Sequence, residues 1–143
     1  MKTYIHYGHT KFDKNMFTKI RNSVWRTKPE GGLWASDIKA VRGWKDWCEE
    51  EQFRDCKEDD SFSFTLSDSA KVLYISSVDD LKSLPKVKSE LGSVLWVLLD
   101  FEKLAKTYDA IEVSISSDFD LYFELYGWDC DSILIMNPDV VVA

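Results

Sequence analysis

Two runs near the middle of the chain, FSFTL (62–66) and KVLYIS (71–76), alternate apolar and polar residues and are separated by SDSA. A period of two sends successive side chains to opposite faces, so each run must lie in a sheet that buries one face. Two strands alone are marginal in water, so the chain has to supply further strands to cover them. Candidates occur along its whole length. Lys2 to Tyr7 alternates and is rich in β-formers, AIEVSI (110–115) and SILIM (132–136) repeat the pattern, and VVV (140–142) closes the chain after Asn137-Pro138.

Between these runs the period changes. Phe12, Met16, Phe17, Ile20 and Val24 recur at helical spacing behind Thr10 or Asp13 as N-caps, which predicts an amphipathic helix packed on the sheet. Pro29 and Gly31-Gly32 end it and restart the chain as a short strand, GLWAS (32–36). Ser36 or Asp37 caps a second expected helix, with Val41, Trp44, Trp47 and Cys48 on its apolar face, and KEDD (57–60) forms a turn. Ser77 with Asp80 resembles a capping box for a short helix that Pro85 ends. The run 86–99 reads as a helix in preference to a buried strand, FEKLAKTY (101–108) as a helix leading into AIEVSI, and LYFELYG (121–127) as one capped by Ser117 or Asp118. Strands and helices intersperse without a regular βαβ alternation. The expected class is therefore α+β, a single domain over residues 1–143 with mainly antiparallel strands and flanking helices.

Composition narrows the function classes. A hydrophobic fraction of 45% with 14% aromatic residues is well outside the signature of disorder. The net charge of -7 repels phosphate backbones and anionic membranes, although Lys11, Lys14, Lys19, Arg21, Arg26 and Lys28 cluster near the N-terminus, where the simplest reading is the solvated side of a helix. Three cysteines without CxxC spacing, and an N-terminus unlike a signal peptide, lead us to expect a reducing, cytoplasmic setting and no metal centre. The longest apolar run, residues 94–99, is too short to span a bilayer.

Three stretches carry a resemblance. YIHYGHT (4–10) is a strand ending in a tyrosine-glycine dipeptide. GGLWAS (31–36) is a glycine-led strand with an aromatic and a serine. YDAIEV (108–113) followed by DSILIMNPDVV (131–141) ends the chain with a strand, a loop and an acidic-led apolar run before Asn-Pro. In this order they resemble the ADP-ribosyltransferase superfamily, in particular its small stand-alone bacterial and phage members, which act as toxins, toxin partners or modifiers of host defence. The resemblance implies a split-sheet α+β fold with NAD bound as substrate in the cleft and no metal.

It further implies that His6, Tyr7 and Gly8 hold the nicotinamide-ribose part, with Gly8 allowing close backbone approach, while Leu33, Trp34 and Ser36 wall the ring. With Asn137-Pro138 set against the family's Asp-Pro, Ser132 falls at the usual glutamate position, and the neighbouring Asp131 is the first candidate for the acid, with Glu112 or Asp129 as alternatives. A carboxylate is needed because cleavage of the nicotinamide bond develops oxocarbenium character on the ribose. The implied activity is transfer of ADP-ribose to a macromolecular acceptor, a protein in preference to a nucleic acid, without membrane association.

Simpler roles stand beside these. His6 reads equally as a core or edge histidine, Trp34, Trp44 and Trp47 as core or groove-lining residues, Glu112 as the solvent face of a half-buried strand, and Asp118 with Asp120 as charge at a helix N-terminus. Cys130 has no histidine close in sequence to make it a nucleophile. A non-catalytic protein working through its acidic and aromatic surface, such as WKDWCEEEQF (44–53), is the alternative function.

Overall fold

The computed structural model describes residues 2–22, 29–39, 43, 61–86, 99–118, 120–121, 128 and 130–143. The alternating runs become seven strands: β1 (Tyr4–Tyr7), β2 (Leu33–Asp37), β3 (Ser61–Leu66), β4 (Val72–Ile75), β5 (Ala110–Val113), β6 (Ser132–Ile135) and β7 (Val141–Val142). They form one sheet in the order β4-β5-β6-β2-β1-β3-β7. β4 and β5 run parallel, and the other neighbouring pairs are antiparallel.

This corrects the expected fold class. The strands do not divide into two small sheets flanked by helices; they make one continuous sheet that curls into a half-barrel. Among the described residues the helical elements are a short α turn, α1 (Phe101–Leu104), two further α-helical residues, Asp120 and Leu121, and 3-10 turns at Lys14–Met16, Val78–Leu81, Ile115–Ser117 and Pro138–Val140. The helix expected after Asp37 lies outside the described residues from 40 to 51, Gly43 excepted, as does most of 86–99; of the helix expected over 121–127, Leu121 is described and is helical together with Asp120, and 122–127 lie outside.

The helix expected from Phe12 to Val24 is replaced, over its described part, by the turn at Lys14–Met16 and irregular chain. The reason lies in where its apolar residues go. Phe12 and Phe17 pack against one hydrophobic cluster while Ile20 enters the other, so they cannot share one helix face. The backbone groups pair across the chain instead of along it: the Arg21 and Glu30 amides and carbonyls exchange bonds of 3.0 and 2.9 Å, and the Gly32 amide donates to the Thr18 carbonyl at 2.8 Å. Gly31 and Gly32 make that close approach possible. Both have positive φ, and a side chain on Gly32 would sit 2.8 Å from the Ile135 carbonyl.

Both faces of the sheet are covered. Tyr4, Leu33, Ala35, Phe62, Phe64, Ala110, Ile133 and Ile135 form the core on one face. On the other, Ile75, Ile111, Val113 and Leu134 pack with Phe101, Leu104, Leu121 and Trp128. The first face is the inside of the curl. The Tyr4 hydroxyl in β1 reaches Glu112 in β5 at 2.7 Å although β2 and β6 lie between those strands. The second face docks α1, whose start is held by two carboxyl or amide side chains. The Asn22 side-chain oxygen accepts the Phe101 and Glu102 amides at 2.7 and 3.2 Å, and Asp100 Oδ1 accepts the Lys103 amide at 3.1 Å.

Candidate functional site

A pocket of about 230 Å³ opens at one end of the sheet, where β2, β4 and β5 finish and β6 begins. Its wall includes Lys2, Asp37, Lys39, Tyr74, Glu112 and Asp131, with the hydroxyl-bearing Ser76, Ser114 and Ser132 at the strand ends. Strand alternation explains the set. Tyr74 pairs with Glu112, and Glu112 with Ile133, so all three point to the inside of the curl, where Ile133 fills the core and the two polar residues reach the opening.

Each oxygen of the Glu112 carboxylate has a partner. Oε1 accepts from the Tyr4 hydroxyl at 2.7 Å, and Oε2 from the Lys2 ammonium at 3.2 Å. The same ammonium stands 5.0 Å from the centre of the Tyr74 ring, which is 56% exposed at the mouth. Tyr4 itself is buried and stacks on Phe64 with ring centres 5.7 Å apart. Burial first, then the hydrogen bond to and the charge of Glu112, push its phenol well above the usual tyrosine range. The hydroxyl therefore remains a donor to the carboxylate throughout the physiological range.

Asp131 is 8% exposed. Its Oδ1 accepts the Ser116 amide at 2.9 Å and its Oδ2 the Ser116 hydroxyl at 2.7 Å, so it holds the 3-10 turn that follows β5. The Asp131 carbonyl accepts from the buried Ser36 hydroxyl at 2.9 Å. Ser36, Asp131 and Glu112 thus gather at one end of the sheet. Asp129 lies outside the described residues.

The remaining candidates lie towards the other end. Gly8 follows the last residue of β1, and Leu33 begins β2 and is buried opposite Ile135. Alternation also separates His6 from Trp34. With Tyr4 opposite Asp37, His6 shares the inner face with Tyr4, whereas Trp34 points outward with Ser36. Trp34 packs edge-on against the buried Trp128, ring centres 4.8 Å apart, and His6 Nδ1 donates to the Trp34 carbonyl at 2.7 Å while the His6 ring lies 5.2 Å from that of Phe62. Tyr7 is half-buried on the outward face. Gly8 has φ 111°, a bend that lets the His9 ring stack on His6 at 5.2 Å with a 2.9 Å contact between ring nitrogens.

Sequence reasoning passed over Tyr4, Lys2, Tyr74 and Lys39. Tyr4 and Tyr74 are ordinary strand formers in alternating runs, and the Tyr4 contact with Glu112 joins residues 108 apart in the chain. Nothing local in either run marks that pairing.

Among the described residues no cluster of three or more His, Cys, Asp or Glu side chains is arranged to hold a metal ion, and no helix is long and apolar enough to cross a membrane. Comparison with protein-family models, curated proteins and solved structures finds no match to this chain.

Proposed function

We propose that the protein is an NAD-dependent mono-ADP-ribosyltransferase that modifies a macromolecular acceptor, a protein in preference to a nucleic acid, with Glu112 as its principal carboxylate. The observation that carries the reading is the Glu112 carboxylate, oriented by one donor on each oxygen at the wall of a polar pocket that also contains Asp131. The likeness of YIHYGHT, GGLWAS and the C-terminal run to ADP-ribosyltransferases supplies the reaction class.

In this mechanism the bond between ribose C1′ and the nicotinamide nitrogen breaks, and its electron pair leaves with nicotinamide. The Glu112 charge stabilises the oxocarbenium character left on the ribose. The acceptor then attacks C1′, and its proton passes to Glu112 or to solvent. A volume of about 230 Å³ is below the roughly 300–1,000 Å³ of sites that enclose a drug-sized ligand. The pocket therefore takes the ribose end of the dinucleotide, and the rest lies outside it. The proposed setting is the cytoplasm, as a toxin or a factor in defence or counter-defence, supported by the cysteine pattern and by the likeness to bacterial and phage members.

The test is incubation with labelled NAD and a bacterial lysate, scoring free nicotinamide and labelled macromolecules. Glu112→Gln is expected to lower turnover by about 10²–10³-fold. Asp131→Asn is expected to act mainly through the Ser116 turn and so to lower thermal stability as well. Absence of turnover together with absence of NAD binding by calorimetry overturns the reading. A second reading, a non-catalytic binding protein, is favoured by Asp131, whose carboxylate is spent on the Ser116 turn.

A further inference from the structure

Lys2 occupies a position that is itself a small cation site. Its ammonium lies 3.2 Å from the Glu112 carboxylate and 5.0 Å from the centre of the Tyr74 ring, over the ring face. A carboxylate beside an aromatic ring can bind an ammonium group, the charge pairing with the acid and the alkyl surface lying on the ring. The cage does not depend on Lys2 for its shape. Glu112 Oε1 is anchored by the buried Tyr4 hydroxyl, and Tyr74 is carried on β4 directly beside Glu112 in the sheet. Lys2, by contrast, lies outside the strands with its side chain 49% exposed, so solvent can replace it at little cost.

The charges of the wall agree. Asp37, Glu112 and Asp131 provide three carboxylates against the ammonium groups of Lys2 and Lys39. With Lys2 in place the wall carries one net negative charge, and with Lys2 swung out a cation entering the cage meets Glu112 unpaired. An anionic group entering the same place would face that carboxylate directly.

We propose that the Glu112–Tyr74 cage is a binding site for an external alkylammonium group, and that Lys2 is a built-in competitor which an incoming ligand displaces. The site sets the chemistry of what approaches Glu112, and it stands whether or not the protein turns over NAD.

Choline chloride is the probe, titrated against a matched sodium chloride series so that simple screening of the Lys2–Glu112 pair is subtracted. The readouts are tyrosine fluorescence and the NMR signals of the Lys2 side chain. In the wild type, choline but not sodium is expected to move the Lys2 signals. Lys2→Ala is expected to bind choline more tightly by about threefold or more, the scale of one exposed cation–π or ion-pair contact. Tyr74→Ala is expected to weaken binding by a similar factor, and Glu112→Gln, which retains an acceptor for the Tyr4 hydroxyl, is expected to abolish it. Circular dichroism confirms that each variant is folded; Lys106→Ala, exposed and outside the pocket wall, is expected to bind choline as the wild type does, and the comparison of Lys2→Ala with Tyr74→Ala carries the test if Glu112→Gln does not fold. Equal choline affinity in wild type, Lys2→Ala and Tyr74→Ala, or Lys2 signals that respond alike to choline and sodium, overturns the proposal. Failure of NAD turnover with choline binding intact removes only the transferase reading.

Discussion

Tyr4 shows how much one side chain does here. It fills the inside of the curl, stacks on Phe64 and places its hydroxyl on Glu112. Tyr4→Phe keeps the packing and removes the donor, and is expected to cost about 1–3 kcal/mol in denaturant unfolding because a half-buried carboxylate loses a partner. The phenol also predicts a pH dependence. Its ionisation is raised above the ordinary value of 10.0, so the folded state favours the neutral form. That contribution is complete below about pH 10 and is lost as pH rises beyond the unfolded value. Absorbance titration at alkaline pH is expected to show fewer than the six tyrosines ionising before the chain unfolds. The candidate site was partly legible at this scale. Glu112 stands out as an acid in an apolar strand and Asp131 as one just before another, and both line the pocket. His6 and Trp34 come from two motifs, YIHYGHT and GGLWAS, but occupy opposite faces, because their partner registers, and not their neighbours in sequence, decide which way each points.

At the scale of elements, the strands were legible and the helices less so. FSFTL, KVLYIS, AIEVSI and SILIM each coincide with an observed strand to within two residues at either end, because alternation is a local property of the chain. The run after Thr10 misleads, since its apolar spacing serves two cores instead of one helix face. The Gly31-Gly32 pair that restarts the chain is the element most sensitive to change. Gly32→Ala forces a side chain against Leu134 and the Ile135 carbonyl at positive φ, and is expected to destabilise by about 1–3 kcal/mol in thermal or urea unfolding. Asn22, which caps α1 from another part of the chain, makes a second prediction. Asn22→Ala removes the acceptor for two amides and is expected to cost about 1–2 kcal/mol, read as a lower urea midpoint with an unchanged slope.

On the scale of the whole molecule, a single sheet is buried on both sides. Trp128 is fully buried on the outer side, between Trp34 and Phe101, at ring-centre distances of 4.8 and 6.2 Å. Trp128→Ala is expected to cost about 3–5 kcal/mol, a large part of the stability of a domain this size, with loss of near-ultraviolet circular dichroism at temperatures where the wild type is folded. The sequence by itself determined where strands lie and that the chain has enough apolar material for a core, because composition and period are written residue by residue; the α+β class read from it did not survive. It also determined which acids stand next to apolar strands. Only the tertiary structure decided that the strands join into one curled sheet instead of two split ones. It decided too that Tyr4, Lys2 and Tyr74 converge on Glu112. Strand order and curl arise from contacts between residues as many as 110 positions apart, which no local pattern encodes.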